Sequence, residues 1–328
     1  MSAAATGALA LLPQLAAQLL PLIVPLLDAA LRVCTPVLLA GLGALIAQRA
    51  GVVNLGIEGM MLASALAGVV GSAYSGSAWA GLLAAVACGV LLGLLLAGAV
   101  HLLRADLILS GVALNLAAAA GTTMALFLLT GDKGISTSLA SKVLPKIDLP
   151  LIAAIPVLSV LLSGRHVLTY AAFGAVPLVA LLLRRTRFGL RLRAVGHDPQ
   201  AAAIAGIGVM RVQCIALALS GGFAGLAGAY LSMGYVSWFA ANMTAGRGYM
   251  AIAAEVMGRG TALGTCVSAM LLGVAESAAV QLQGAGLPSE LLQTIPYVVP
   301  VVALCLYARR ARRLARAAGI YPTESLES

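Results

Sequence analysis

The sequence predicts an all-α fold: a polytopic transmembrane helical bundle of about ten spans, with broken or re-entrant segments. Hydrophobic residues make up 61% of the 328 residues and charged residues only 9%, a balance that excludes a soluble globular domain. Apolar stretches long enough to cross a bilayer also recur along the whole chain. We therefore expect one transmembrane domain over residues 1–328, with the lipid bilayer as its surroundings.

The candidate spans are the apolar stretches that approach the roughly 20 residues needed for one crossing. They are residues 8–31, 33–48, 52–74, 79–103, 107–130, 167–183, 213–236, 246–258, 262–283 and 291–308. Cations collect in cytoplasmic loops, and the loop 184–211 alone carries Arg184, Arg185, Arg187, Arg191, Arg193 and Arg211. Ten crossings then place both termini and the tail 309–328 in the cytoplasm. Few cations fall outside: Arg32, Lys133, Lys142, Lys146, Arg165 and Arg247.

The loop 184–211 contains the signals of a short helix of its own. Asp198 suits the capping position, Pro199 the first helical position, and Gly206 the end of the turn. We expect a two-turn helix that lies outside the membrane. Such a helix either contacts a partner or belongs to a loop that only sets the topology, and its charge alone favours the second interpretation.

Two segments, 49–61 and 242–258, differ from ordinary spans because glycines interrupt them. Each has a carboxylate seven residues after a glycine: Glu58 follows Gly51, and Glu255 follows Gly248. Interrupted segments in corresponding positions of two halves are typical of the solute route in transporters. The pattern therefore predicts a route at mid-membrane.

Polar side chains inside apolar spans are costly and usually face a cavity or a partner. Asn54 and Glu58 lie four residues apart and share a helix face. We expect five side chains to line a route for a polar, uncharged solute: Asn54, Glu58, Asn115, Glu255 and Glu276. Two alternatives stay open. In the first, Glu58 and Glu255 have a structural role and either pair with nearby arginines or cap broken helices. In the second, the carboxylates of Glu58, Glu255 and Glu276 carry protons in a secondary transporter.

The motifs of enzymes and metal proteins are missing from the sequence. It contains no Gly-x4-Gly-Lys-Ser/Thr phosphate loop, no His-Glu-x-x-His and no Gly-x-Ser-x-Gly. The five cysteines form no Cys-x-x-Cys pair, and the three histidines are far apart. We predict a conduit with no catalytic residues, no metal and no cofactor of its own. Because the cations lie in short loops and a tail, we expect no nucleic-acid partner.

Five segments, in this order, closely resemble the permease subunits of ABC importers for nucleosides. They are 50–61 (AGVVNLGIEGMM), 104–115 (RADLILSGVALN), 185–196 (RTRFGLRLRAVG), 242–248 (NMTAGRG) and 253–258 (AAEVMG). This group is a branch of the larger permease family for branched-chain amino acids and simple sugars. The resemblance extends over nearly the whole chain, from Ala29 to Tyr307.

The resemblance implies the subunit of an importer in the bacterial inner membrane. Its partners would be ABC ATPase subunits that bind the ATP, a second and different permease, and an extracytoplasmic lipoprotein receptor. The solute would be a nucleoside or related purine compound; a simple sugar or a branched-chain amino acid is the alternative.

The resemblance also implies that the loop 184–211 supplies the coupling helix that contacts the ATPase. The residues carried over are His197, Asp198, Pro199, Gln200, Ala203 and Gly206. The family commonly has Gly-Glu-Asn-Pro where this chain has Gly-His-Asp-Pro at positions 196–199.

Overall fold

The computed structural model describes residues 2–139, 141–147 and 164–282, with positions 294, 298, 299, 302 and 305, and side chains from residue 24 onward. The long helices are α1 (Ser2–Arg49), α2 (Ile57–Ser75), α3 (Ala78–His101), α4 (Leu107–Thr130), α5 (Val167–Arg185), α8 (Val209–Tyr230) and α10 (Ala262–Leu282). The short helices are α6 (Arg187–His197), α7 (Pro199–Ile204) and α9 (Arg247–Met257), and a π-helical turn, Leu231–Tyr235, extends α8. The predicted polytopic helical bundle is confirmed.

Seven of the described helices are long and apolar enough to cross a membrane. The prediction of two separate spans over 8–31 and 33–48 was wrong, because α1 is continuous through Arg32. Asp28 pairs with Arg32 one turn away and with Arg165, so the charge does not interrupt the helix. The candidate 246–258 holds the 11-residue helix α9, about 16 Å long and half a crossing. Most of 291–308 lies outside the described residues, and ten spans are not confirmed.

Helix α1 runs through the middle of the bundle. Its side chains from Val37 to Ala47 are almost all buried, and it packs against α5, α8, α9 and α10. A helix that is apolar on every side is stable only when other helices surround it or lipid covers it. Helices α3 and α4 form part of the outer face instead, and they expose leucines such as Leu95 and Leu116.

Helices α3 and α8 cross at a seam of glycines. A Cβ atom at Gly89 would collide with the carbonyl oxygen of Gly221, and one at Gly93 would collide with that of Leu217. A Cβ atom at Gly225 would lie 2.7 Å from the carbonyl oxygen of Ala85 in α3. The repeated small residues therefore let two helix backbones approach closely, as their spacing predicts.

The bundle has two polar ends. At one, the strands β1 (Lys146–Ile147) and β2 (Arg165–His166) pair antiparallel, and we call this the Arg165 end. At the other, Arg49, Arg193 and Arg259 line one pocket, and we call this the Arg49 end. Arg32 and Lys146 line a pocket with Arg165. The sequence predicts that the first of these groups lies outside and the second lies in the cytoplasm, and that orientation stays a prediction.

Candidate functional site

The break between α1 and α2 is the first component of the site. Residues 50–56 are not helical, and the buried Asn54 holds this turn in place. Its Oδ1 accepts a hydrogen bond from the Gly56 amide (3.1 Å), and its Nδ2 donates to the Ser220 hydroxyl of α8 (2.9 Å). Broken helices leave backbone groups that must find partners inside a membrane, and the Asn54 side chain supplies one of them.

Asn115 of α4 binds the same break from the other side. Its Oδ1 accepts from the Gly59 amide (2.8 Å), and its Nδ2 donates to the Leu55 carbonyl (2.8 Å). The same Nδ2 lies 2.9 Å from the Tyr249 hydroxyl of α9. One side chain thus connects α4, the start of α2 and the start of α9.

Glu58 caps the half-length helix α9. Its Oε1 accepts from the Gly246 amide (2.8 Å) and its Oε2 from the Gly248 amide (2.6 Å). These N–H groups belong to the first turn of a helix, where a carboxylate is stabilised by the helix dipole. Gly248 admits no side chain, because a Cβ atom there would lie 2.7 Å from the Glu58 Cα. Among the interpretations of Glu58 from sequence, the one that these contacts show is the cap of a broken helix.

Arg247, between the two glycines, reaches in the other direction to α10. Its Nη2 lies 2.9 Å from Oε1 of Glu276, and its Nη1 donates to the Met243 carbonyl (3.3 Å). The expected position of Arg247 on the outer side of the membrane stays a prediction. Helix α9 ends near the Arg49 end and is about 16 Å long, so its first residue lies near the middle of a core about 30 Å thick. An ion pair with Glu276 makes that depth tolerable for a guanidinium.

Several polar atoms around this ion pair have no hydrogen-bond partner in the described part of the chain. They are Arg247 Nε, Glu276 Oε2 and the Thr244 hydroxyl. The two charged side chains are still about one-fifth exposed. Buried donors and acceptors without partners are suited to hydrogen bonds with water or with a polar solute.

Glu255 stands apart from the other four predicted route residues. It lies two turns further along α9, is completely buried, and has no hydrogen-bond partner for either oxygen among the described residues. The structure thus brings Asn54, Glu58 and Asn115 to one junction and links Glu276 to it through Arg247. The contact of these residues with a solute stays a prediction.

The predicted helix in the loop 184–211 is present as α7. Asp198 Oδ1 accepts from the amides of Gln200 (2.9 Å) and Ala201 (3.0 Å), Pro199 occupies the first turn, and Gly206 adopts φ +78° after the helix. The capping prediction is confirmed. A second helix, α6, precedes it and was not predicted. Among the residues of α7, only Ala202 is buried, so the helix projects from the Arg49 end of the bundle.

A joint connects this projecting helix to α9. A Cβ atom at Gly196 would collide with the Arg49 carbonyl oxygen, so the end of α6 lies directly on the end of α1. The Arg49 guanidinium donates from both Nε and Nη2 to the carbonyl of Gly260, which follows α9. Gln213 of α8 adds a bond to the Ala50 carbonyl (3.2 Å). We call Arg49, Gly51, Gly196 and Gly260 the Arg49 joint.

Sequence reasoning missed the Arg49 joint and the exposed Ile204 of α7. The side chain of Ile204 is 89% exposed, which is unusual for an isoleucine. A large apolar residue in a short helix that is expected to lie outside the membrane was the available signal for it. The Arg49 joint could not be predicted from the glycines at 196 and 260, because both contact Arg49, which is far from them in the sequence.

The comparison with known families decides what kind of protein this is. The model of the branched-chain amino acid transport system permease component matches residues 26–304. The chain belongs to this family. It is a membrane subunit of the ABC transport type, and its seven candidate spans agree with a multi-pass membrane protein. The relatives are transport permeases and not enzymes.

Three relatives illustrate the range of the family. The guanosine ABC transporter permease NupQ of Bacillus subtilis is 32% identical over 90% of this chain and 94% of its own length. The nucleoside ABC transporter permease NupC of Lactococcus lactis is 33% identical over 84% of this chain and 90% of its own length. TsgC13 of Haloferax volcanii, provisionally named a glucose ABC transporter permease, is 35% identical over 80% of this chain and 79% of its own length. No solved structure matches this chain significantly.

Proposed function

We propose that this permease carries nucleosides or related purine compounds through the bacterial inner membrane for an ATP-driven importer. The guanosine and nucleoside permeases named above support this solute class, because they align over nine-tenths or more of their own length. The Haloferax relative, named for glucose, supports a simple sugar as the second candidate. Both solute classes are polar and rich in hydroxyl groups.

The mid-depth polar groups support a solute of this kind. Arg247 Nε, Glu276 Oε2 and the Thr244 hydroxyl offer donors and acceptors without a hydrogen-bond partner among the described residues. The charges of Arg247 and Glu276 cancel each other, so the region has little fixed charge. A neutral, hydroxyl-rich solute would exchange its hydrogen bonds with water for bonds with these groups.

The Arg49 joint is the observation that carries the proposed coupling. A push on α7 by the ATPase would pass through Gly196 to the end of α1 and through the Arg49 guanidinium to Gly260. Gly260 follows α9, whose other end is held by Glu58 and whose first side chain is paired with Glu276. The route consists of one close backbone contact and one side-chain hydrogen-bond contact, and closely packed groups of this kind transmit displacement. Rocking of packed helices against one another is a common transport movement.

The remaining partners and the orientation follow from the same proposal. The Arg49 end would face the cytoplasm with both termini, and His197, Gln200, Ala203 and Ile204 would contact the ATPase. The Arg165 end would face the lipoprotein receptor, and from the sequence we expect residues 131–150 and 151–163 to meet it. Residues 140 and 148–163 of these two segments lie outside the described part of the chain. A second, different permease would complete the translocation unit.

The proton-driven alternative has less support. Both carboxylate oxygens of Glu58 accept hydrogen bonds from backbone amides, so this side chain is engaged as a helix cap. Glu276 is held by Arg247. Uptake that continues without an ATPase subunit and collapses with an uncoupler would favour the alternative.

The direct test is transport by the complete importer in proteoliposomes. We expect uptake of labelled guanosine that requires ATP and is blocked by excess unlabelled purine nucleosides, with weak competition from glucose and leucine. A ranking in which glucose competes best would move the solute to the sugar class. Binding of the same compounds to the receptor protein provides an independent control of the specificity.

The orientation needs a separate test in intact cells. In a variant whose five native cysteines are replaced, Gln200→Cys should resist a membrane-impermeant thiol reagent until the cells are opened. Labelling of that cysteine from outside would place α7 on the wrong side and would contradict the coupling proposal.

A further inference from the structure

Tyr249 is exposed in the middle of the bundle, away from the other exposed aromatic side chains. The described residues expose six large aromatic side chains: Tyr74, Trp79, Phe127, Tyr235, Trp238 and Tyr249. The first five lie at the Arg165 end, where the ends of α2 and α4, the start of α3 and the segment after α8 meet. Exposed rings are common at the ends of a bundle, because tyrosine and tryptophan settle among the lipid headgroups. The position of Tyr249 needs a different explanation.

The contacts of Tyr249 place it inside the membrane. It is the third residue of α9, a helix of 11 residues that is about half a crossing long and ends near the Arg49 end. Its hydroxyl accepts a hydrogen bond of 2.9 Å from Nδ2 of Asn115. Asn115 lies about 12 Å from the start of the candidate span α4. Both helices therefore put the phenol well away from the headgroups.

The phenol is held at its hydroxyl and open elsewhere. Asn115 also donates to the Leu55 carbonyl, so the amide group that holds the phenol is itself fixed. The preceding residue, Gly248, is bound by Glu58, which fixes the backbone at the start of α9. Tyr249 is nevertheless 47% exposed, so the described residues leave a large part of its ring uncovered. A fixed and open aromatic face is a preorganised surface for another flat ring.

We propose that the ring of Tyr249 stacks on the purine base of the nucleoside as it crosses the membrane. This inference rests on the proposed function and concerns the base, whereas the polar groups around Arg247 suit the hydroxyl groups of the ribose. A purine is flat and aromatic on both faces. Stacking on an aromatic side chain uses that face and needs no fixed charge. Tyr249 would thus favour nucleosides over simple sugars, which have no aromatic face.

The test is uptake of labelled guanosine by the complete importer in proteoliposomes, with ATP hydrolysis measured in the same vesicles. Tyr249→Phe keeps the ring and should keep most of the uptake. Tyr249→Leu keeps an apolar side chain without a ring, so its uptake should fall by roughly tenfold because the stacking contact is lost. Tyr249→Trp enlarges the ring and should also keep uptake, which a role in tight packing would not allow. Tyr74→Leu, which removes an exposed ring from the Arg165 end, is the matched control and should preserve uptake.

The outcomes separate this inference from the proposed function. Absence of guanosine uptake by the wild-type importer would overturn both. Uptake that is equal in Tyr249→Leu and Tyr249→Phe would overturn the stacking role alone, and so would a loss of uptake in Tyr249→Trp as large as in Tyr249→Leu. A second measurement needs no variant. Photolysis of the wild-type importer with 8-azidoguanosine should label the segment that contains Tyr249, and labelling confined to other segments would also overturn the stacking role.

Discussion

Glu58 and Gly248 are joined by a hydrogen bond of 2.6 Å although 190 residues separate them in the chain. The contact ties α2 to the first turn of α9, so the two interrupted segments meet inside the bundle. Arg247, next to Gly248, holds Glu276 of α10. The start of α9 is thus fixed between carboxylates from two helices, and displacement of α9 must disturb both.

The cap formed by Glu58 gives the first prediction. Glu58→Ala should destabilise the protein by about 1–3 kcal/mol and reduce uptake strongly, because the Gly246 and Gly248 amides lose their acceptor. Glu58→Gln keeps one acceptor oxygen, so this variant should retain part of the stability and part of the uptake. The measurements are thermal unfolding in detergent and uptake in proteoliposomes. Asp106→Ala, which removes an exposed cap from α4, is the control and should preserve uptake. If Glu58→Gln abolished uptake at full stability, a proton-carrying role would gain support.

The Arg247–Glu276 pair gives a prediction about double variants. Removal of one partner leaves a largely buried charge uncompensated, which costs about 3–5 kcal/mol. Arg247→Gln and Glu276→Gln should therefore each destabilise the protein more than the double variant does. The free energy of unfolding of the wild type, the two single variants and the double variant, measured in the same denaturant, gives the coupling energy between the two side chains. Additive effects would show that the pair is not an energetic unit.

The packing of Gly196 on Arg49 predicts an uncoupled transporter. Gly196→Ala pushes α6 away from the end of α1, so ATP hydrolysis should continue while uptake falls by roughly tenfold. The comparison of ATPase and uptake rates in the same proteoliposomes measures this. Gly208→Ala is the matched control, because a Cβ atom there makes only ordinary contacts, the nearest at 3.6 Å. Equal losses of hydrolysis and uptake in Gly196→Ala would indicate general misfolding instead.

The exposed Ile204 predicts a contact with the ATPase subunit. Its side chain is 89% exposed on α7, so Ile204→Asp should leave the stability of the permease unchanged and weaken its association with the ATPase. Ile204→Val keeps an apolar surface and should retain association. Co-purification of the ATPase with each variant is the measurement. Unchanged association in Ile204→Asp would remove this residue from the proposed interface.

The helical architecture and the short helix α7 were accessible from the sequence. Apolar stretches and the positions of arginines predict helices and their two polar ends, because the bilayer imposes these constraints locally. The cap at Asp198 was also predictable, since its partners are the next few residues. The number of spans was not predictable from the sequence. The pattern predicts a boundary between two spans at Arg32, but Asp28 neutralises this residue and α1 continues through that position.

The roles of the buried polar residues could not be assigned in the same way. Glu58 and Glu255 occupy equivalent positions in two similar motifs, yet one caps α9 and the other has no hydrogen-bond partner among the described residues. The sequence did not predict the ion pair of Arg247 with Glu276, because the two residues belong to different helices. The amino-acid pattern is enough for membrane insertion and local caps, which depend on neighbours in the chain. Which polar groups meet at mid-depth depends on how distant helices pack, and that packing emerges only in the folded bundle.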